Sequence, residues 1–161
     1  MFGTPYSDIQ FQNLRSYIAQ VLHSKILFEH KISYALVGCA LGSDTAFALS
    51  CVSLKIPIVS CVPFRGYESR WFKNEDKVVF NKLLETSQEV IYVDEALNLA
   101  ETISKNAKNI IRDKYMVDRS DFLVAMYDGN PAGGTAHTVK YAESKNKPVI
   151  NMYPESWLDY A

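Results

Sequence analysis

Cysteine, histidine and glycine are scarce in this sequence, and the scarcity of the first two limits its chemistry. The three cysteines lack metal-ligand spacing, and the three histidines are scattered. We therefore expect no metal site and no disulfide framework, with Cys51 and Cys61 as buried free thiols. Cys39 lies beside a predicted helix start, which would lower a thiol pKa, but no histidine lies near it in sequence to activate it as a nucleophile.

The sequence also lacks a basic cluster and a long apolar run. The formal net charge is −1 and 22% of the residues are charged, so a nucleic-acid or anionic-membrane surface is not favoured. No apolar stretch approaches the roughly 20 residues of a spanning helix, and no basic segment followed by an apolar one opens the chain. We expect a cytoplasmic protein whose residues 1–161 form a single domain with an ample core.

Most of the glycines lie in two short segments. Five of the seven fall in residues 38–44 and 128–135, and each segment follows an apolar run and opens an amphipathic one. Glycines at a strand-to-helix turn let backbone N–H groups approach a ligand, and the helix start adds about half a positive charge. The pattern favours an anion site. Ordinary tight turns that bind nothing are the alternative, since neither segment is a Gly-x-Gly-x-x-Gly or Walker motif.

Apolar runs without alternation are separated by helical periodicity along the whole chain. The predicted strands are residues 34–37, 58–62, 90–93, 122–127 and 148–152. The predicted helices are one capped by Ser7, then about 44–54, 75–87, a region ending in 107–119, and one after Gly134. This order predicts an α/β fold with a mostly parallel five-stranded sheet and helices on both faces. In such sheets ligands bind beyond the carboxyl ends of the strands, where the strand order reverses.

Two further segments carry unusual charge. The loop 63–71 contains Arg65, Glu68 and Trp71, in which arginine can grip an anion and an aromatic face can stack on a base. Its alternative is a surface loop with its own Arg–Glu pair and a tryptophan anchored in the core. Arg112, Met116 and Arg119 lie on one helical stripe, from which an arginine would reach a bound anion. The alternative for Arg119 is an ion pair at the helix end with Asp118 and Asp121.

These segments together resemble a known group. The ordered motifs are Gly38-x-Ala40-Leu41-Gly42-x-Asp44, Pro63-Phe64 with Glu68-x-Arg70-Trp71, Met116-Val117-Asp118-Arg119-Ser120-Asp121, Tyr127-Asp128-Gly129, Gly133-Gly134-Thr135 and Tyr141-Ala142. From about Gly38 to Tyr153 the chain resembles the YpsA-like branch of the SLOG superfamily. This Rossmann-like superfamily includes the Lonely Guy phosphoribohydrolases, the DNA-processing protein DprA and sensors of ADP-ribose-derived signals. The resemblance implies a pocket for a nucleotide derivative without implying one reaction.

The sequence departs from the related enzymes in two places. Lonely Guy enzymes carry Pro-Gly-Gly-x-Gly-Thr-x-x-Glu and a catalytic arginine on the preceding helix; Gly134-Thr135 and Arg112 match, but Thr138 stands where they have glutamate. A threonine cannot act as the catalytic carboxylate. His137 beside it is either a substitute for that group or an exposed histidine on the helix. Relatives also begin with a strand ending in a Gly-His-Arg-like turn, whereas residues 1–5 here lead almost directly into a helix. The resemblance thus implies a lost wall of the site, or a wall from another subunit.

We therefore expect a protein that binds a nucleotide-derived small molecule without turnover, as a sensor or a sequestering protein, with no cofactor, no metal and no catalytic residue. Gly133, Gly134 and Thr135 would hold a phosphate that Arg112 and Arg119 neutralise. Gly42, Ser43 and Asp44 would line the sugar, and Arg65, Glu68 and Trp71 would cover the base. The remaining expected site residues are Gly38, Cys39, Met116, Asp128, Gly129 and His137.

Three expectations accompany this model. The enzymatic alternative is cleavage of the N-glycosidic bond of a nucleoside 5′-monophosphate. A further alternative is a protein-interaction module with a vestigial pocket. We also expect at least a homodimer, with Tyr115, Met116 and Tyr141 as contacts.

Overall fold

The computed structural model describes residues 9–154. The expected cap Ser7 and the expected loss of a first strand at residues 1–5 lie outside this range. The first helix, α1 (Ile9–Val21), buries Phe11, Leu14 and Ile18, whose spacing of three and four residues places them on one face. A π-helical turn (Leu22–Ile26) and a short α2 (Leu27–Glu29) follow.

Parallel strands joined by helices make up the rest of the described chain. The order is β1 (Ala35–Val37), α3 (Ser43–Ser53), β2 (Ile58–Val62), a 3-10 turn (Tyr67–Arg70), α4 (Asn74–Thr86), β3 (Glu89–Tyr92), α5 (Val93–Ala96), α6 (Lys105–Asp118), β4 (Leu123–Ala125), α7 (Gly134–Ser144) and β5 (Val149–Asn151). All five residues of β2 are buried, as expected of a central strand that is covered on both faces. The α/β class and the parallel strands are confirmed.

The strands form two sheets, so the prediction of one five-stranded sheet is wrong. One sheet has the order β1-β2-β3 and the other pairs β4 with β5, all in parallel. Sequence patterns identify strands but do not show which edges pair, and here β1 and β4 line the two sides of one cleft. Both sheets contribute to one apolar core, in which Val37 and Ile58 of the first pack with Val124 and Ile150 of the second.

None of the helices in residues 9–154 is long and apolar enough to cross a membrane. Over the same residues no cluster of histidine, cysteine, aspartate and glutamate could hold a metal ion.

Candidate functional site

A cleft of about 570 Å³ separates β1 from β4. It extends from the amino ends of the two strands to their carboxyl ends, and its body is apolar, with Phe47, Met116 and Val139 among the lining side chains. From this cleft the strand order continues through β2 and β3 on one side and through β5 on the other. The cleft therefore lies where the strand order reverses, which is where open α/β sheets bind ligands.

Gly38, directly after β1, lets two charged side chains approach the backbone at the carboxyl end of the cleft. A Cβ atom added to Gly38 would lie 3.0 Å from Oδ2 of Asp44 and 3.1 Å from Nη1 of Arg112. Both side chains line the cleft, although Asp44 comes from the start of α3 and Arg112 from the middle of α6. A side chain at position 38 would push these two groups away, so close packing favours glycine here.

Arg112 is held by the protein itself. Its side chain is only 4% exposed and its Nε donates to Oδ1 of Asp113 at 2.7 Å. Its Nη1 donates to the carbonyl oxygens of Gly38 at 2.6 Å and Cys61 at 3.2 Å. Burial lowers the pKa of Arg112, but the carboxylates of Asp113 and Asp44 raise it more, so the guanidinium stays charged. Arg112 ties α6 to the ends of β1 and β2 and places a positive charge there.

Asp44 is a carboxyl group in an unfavourable environment. Burial raises its pKa above the ordinary value of 3.8, which Arg112 opposes; Asp113 adds to the rise, and a backbone hydrogen bond at Ala40 lowers it again. The net direction is upward because desolvation outweighs the attraction of Arg112. Asp44 therefore releases its proton less readily than an exposed aspartate. Its oxygens can also accept hydrogen bonds from a ligand.

The start of α7 supplies the remaining polar wall at this end. Gly134 and Thr135 line the cleft, and the N-cap residue Gly133 provides no side-chain hydrogen bond to the first amides of the helix. A Cβ atom at Gly133 or Gly134 would meet nothing within 4 Å. Thr138, which also lines the cleft, donates its hydroxyl to the Gly134 carbonyl at 3.1 Å. The first amides of α7 thus present donors and positive potential to this end of the cleft.

Arg119 lies toward the opposite end of the cleft from Arg112. The two are seven residues apart in sequence, a rise of about 10 Å along a helix, and α6 runs antiparallel to the strands. Arg119 stacks on the Tyr115 ring at 3.5 Å, and its Nη1 donates weakly to the Tyr115 carbonyl at 3.5 Å. Lys31 and Asp121 line the same, amino-terminal end. The structure therefore does not bring both expected arginines to one phosphate.

The charged residues and the tryptophan of the loop 63–71 do not line the cleft. Arg65 forms a two-bond ion pair with Glu95 (2.6 and 3.2 Å) and lies 4.0 Å above the Tyr92 ring. Trp71 packs edge-on against the rings of Tyr67 and Phe80. Neither these two side chains nor Glu68 is among the described residues that line the cleft. The geometry agrees with the alternative of a core-anchored tryptophan and a paired arginine, although the partner of Arg65 lies outside the loop.

The expected site residues fall into two groups, those that line the cleft and those that do not. Gly38, Ser43, Asp44, Arg112, Met116, Arg119, Gly134 and Thr135 line the cleft, whereas the described cleft lining does not include Cys39, Gly42, Arg65, Glu68, Trp71, Asp128, Gly129, Gly133 or His137. Cys39 and Gly42 lie in the turn between β1 and α3, where they adopt positive φ values of 58° and 92°. Burial raises the pKa of the Cys39 thiol to about 11, which opposes the lowering expected from the helix start.

Two residues that contribute to the site were missed in the sequence. Asp113 lines the cleft and holds Arg112, and an acidic residue directly after an arginine was the available signal. The Tyr67 ring lies 5.7 Å from the Arg112 guanidinium, a contact between segments that no local pattern predicts.

Comparison with known proteins gives one informative similarity. The chain is 29% identical over 141 residues to an uncharacterized SPbeta prophage-derived protein, YoqJ, of Bacillus subtilis (strain 168). The alignment covers 81% of this chain and 80% of YoqJ. No family model and no solved structure matches the chain.

Proposed function

We propose that this protein binds a nucleotide-derived small molecule, ADP-ribose-like or a nucleoside phosphate, at the carboxyl end of the cleft without turning it over. The observation that carries the proposal is the meeting of the uncapped start of α7, Asp44 and the Arg112 charge in one cleft at the reversal of strand order. A protein that binds and releases this ligand would act as a sensor, and one that retains the ligand would act as a sequestering protein.

Each part of such a ligand has a matching surface. A phosphate accepts hydrogen bonds from the first amides of α7 beside Gly134 and Thr135, and the helix dipole adds to the attraction. Ribose hydroxyls donate to Asp44, with Ser43 beside it. Leu41 and Met116 provide apolar surface for the base. Arg112 contributes charge more than direct contact, because Asp113, Gly38 and Cys61 already occupy its Nε and Nη1.

Isothermal titration calorimetry with ADP-ribose, AMP and adenosine tests this assignment. We expect ADP-ribose and AMP to bind at least tenfold more tightly than adenosine, which lacks the anion. We expect Asp44→Asn to weaken ADP-ribose binding about tenfold, because a charged acceptor becomes a neutral one. The exposed substitution Ile110→Ala on α6 is the control and should leave the affinity unchanged. Equal affinities for AMP and adenosine would contradict the assignment.

A second candidate, hydrolysis of the N-glycosidic bond, is favoured by one observation. Asp44 has a raised pKa and shares the cleft with Thr138, so a protonated Asp44 would be placed to donate to a departing base. Chromatographic detection of free adenine from AMP distinguishes the two candidates. We expect release at background level, because one acid–base group is worth about 10²–10⁴-fold in rate and the second carboxylate is replaced by Thr138. Release that Asp44→Asn abolishes would make the protein an enzyme.

A further inference from the structure

The edge of β1 that faces the cleft is unpaired. The Ala35 amide donates to the Pro57 carbonyl on the β2 side. Backbone groups of successive residues in a parallel strand point to opposite edges, so the N–H and C=O of Leu36 point toward the cleft. Within residues 9–154, β1 pairs with β2 alone.

The facing edge of β4 has the same character. The Leu123 amide donates to the Pro148 carbonyl, and the Ala125 carbonyl accepts from the Met152 amide, both on the β5 side. The backbone groups of Val124 therefore point toward the cleft. The part of the chain that the structure describes offers β4 no other partner than β5. Two unpaired edges that run in the same direction border one apolar space.

The size of this space matches a single strand. Strand spacings of about 3.3 Å along the chain, 4.8 Å between strands and 10 Å between layers give an extended residue on the order of 160 Å³. A cavity of about 570 Å³ therefore holds three to four extended residues. This is the length of both flanking strands, Ala35–Val37 and Leu123–Ala125.

The charges at the two ends of the cleft give the occupant a direction. The carboxyl end has two carboxylates and one buried arginine, namely Asp44, Asp113 and Arg112, and the amino end has two cations and one carboxylate, namely Lys31, Arg119 and Asp121. The start of α7 adds about half a positive charge at the carboxyl end, which leaves that end net negative and the amino end net positive. A strand parallel to its neighbours is therefore favoured when it ends in a basic residue and begins with an acidic one.

We propose that the cleft is a docking slot for one β-strand of a partner polypeptide. This strand runs parallel to β1 and β4, is apolar over three to four residues, begins with an acidic residue and ends with a basic one. Its backbone pairs with Leu36 on one side and Val124 on the other, in the manner of strand addition to a sheet edge. The strand fills the cleft and its basic residue lies beside Asp44 and Asp113, so strand docking is a second role of this cleft that excludes simultaneous nucleotide binding at its carboxyl end.

Fluorescence anisotropy with a labelled hexapeptide tests the slot. The probe has the sequence glutamate, valine, isoleucine, valine, threonine, arginine, and two controls carry N-methyl groups on the central amides or exchange the terminal charges. We expect saturable binding of the probe to the full chain and at least tenfold weaker binding of both controls. Failure of the probe to bind, or equal binding of the N-methylated peptide, would overturn the proposal. Tighter binding of the charge-exchanged peptide would overturn the direction.

Two proline variants provide a matched test on the protein. Val124→Pro removes an amide that faces the cleft, and Glu89→Pro removes one on the outer edge of β3, because the Gln88 amide donates toward β2. Proline is tolerated at such edge positions. We expect Val124→Pro to lose probe binding at least tenfold and Glu89→Pro to keep it within twofold, with circular dichroism verifying the fold. Equal binding by both folded variants contradicts strand pairing.

Two other occupants are distinguished in the same assay. Probe binding that emerges only after deletion of residues 2–8 would assign the slot to this chain itself and overturn the partner. Probe binding that requires dilution of a dimer would assign it to a second copy. Titration of Val124→Pro with ADP-ribose separates this proposal from nucleotide binding, since we expect that affinity to be unchanged.

Discussion

Replacement of Gly134 by aspartate should abolish anion binding while making the fold slightly more stable. Gly134 is the first residue of α7 and lines the cleft. A Cβ atom there meets nothing within 4 Å, and Gly134 is not among the glycines with positive φ. The new carboxylate therefore fits without strain and occupies the region where a phosphate would lie.

The two effects have opposite signs. A carboxylate in the first helical turn stabilises by about 0.3–1 kcal/mol, and loss of a helical glycine adds a few tenths. The resulting gain of about 0.5–1 kcal/mol corresponds to roughly 1–4 °C in Tm for a chain of this size. Blocking two amide contacts to a charged ligand costs about 3 kcal/mol, or roughly 100-fold in Kd. Most substitutions that abolish binding destabilise the fold, so this combination is diagnostic.

Calorimetry with ADP-ribose and thermal unfolding by circular dichroism measure both effects. The control is Ser144→Asp, which adds the same charge to the last turn of the same helix. We expect this control to bind ADP-ribose normally and to be slightly less stable, because a negative charge is unfavourable at the carboxyl end of a helix. Unchanged ADP-ribose affinity in Gly134→Asp would refute the anion site at α7, and a lower Tm would refute the view of Gly134 as an unstrained position.

Four further outcomes are expected. Chemical denaturation should show that Asp44→Asn is more stable than the unmodified protein at pH 7 and that this difference disappears in acid. Burial raises the folded pKa of Asp44, so the stability that its protonated form contributes is complete below about pH 3.8 and is lost as the pH rises through the folded pKa. Arg112→Ala should lower the free energy of unfolding by roughly 3 kcal/mol, since it leaves two buried carbonyls without their charged donor; a loss below about 1 kcal/mol would contradict the structural role of Arg112. Burial raises the thiol pKa of Cys39 to about 11 and of Cys51 and Cys61 to about 12, so Ellman's reagent at pH 8 should react with none of these three thiols until guanidinium is added. Light scattering should give a mass above the 18.2 kDa of one chain; because Tyr115 is buried and Met116 lines the cleft, Tyr141→Ala is the sharper test of the expected contact.

Local pattern was sufficient for the elements and for part of the site. The buried run Ile58–Val62 forms β2 with the predicted bounds. The two glycine segments predicted helices from about residue 44 and after Gly134, and the observed helices begin at Ser43 and Gly134. These features depend on residues close in sequence. The loop 63–71 shows the limit of this approach: its composition is compatible both with a ligand contact and with core packing, and only the positions of Glu95 and Phe80 distinguish them.

The sequence by itself determined the α/β class, the parallel strands and the two glycine turns, because hydrophobic periodicity and glycine conformation act within a few residues. Only the tertiary structure decided which strand edges pair, and hence that a cleft separates β1 from β4. The same applies to the arginines. One helical stripe relates Arg112 to Arg119, but the antiparallel course of α6 places the first at Gly38 and the second toward the other end of the cleft. Pairing and direction depend on contacts between distant segments, which a linear pattern does not contain.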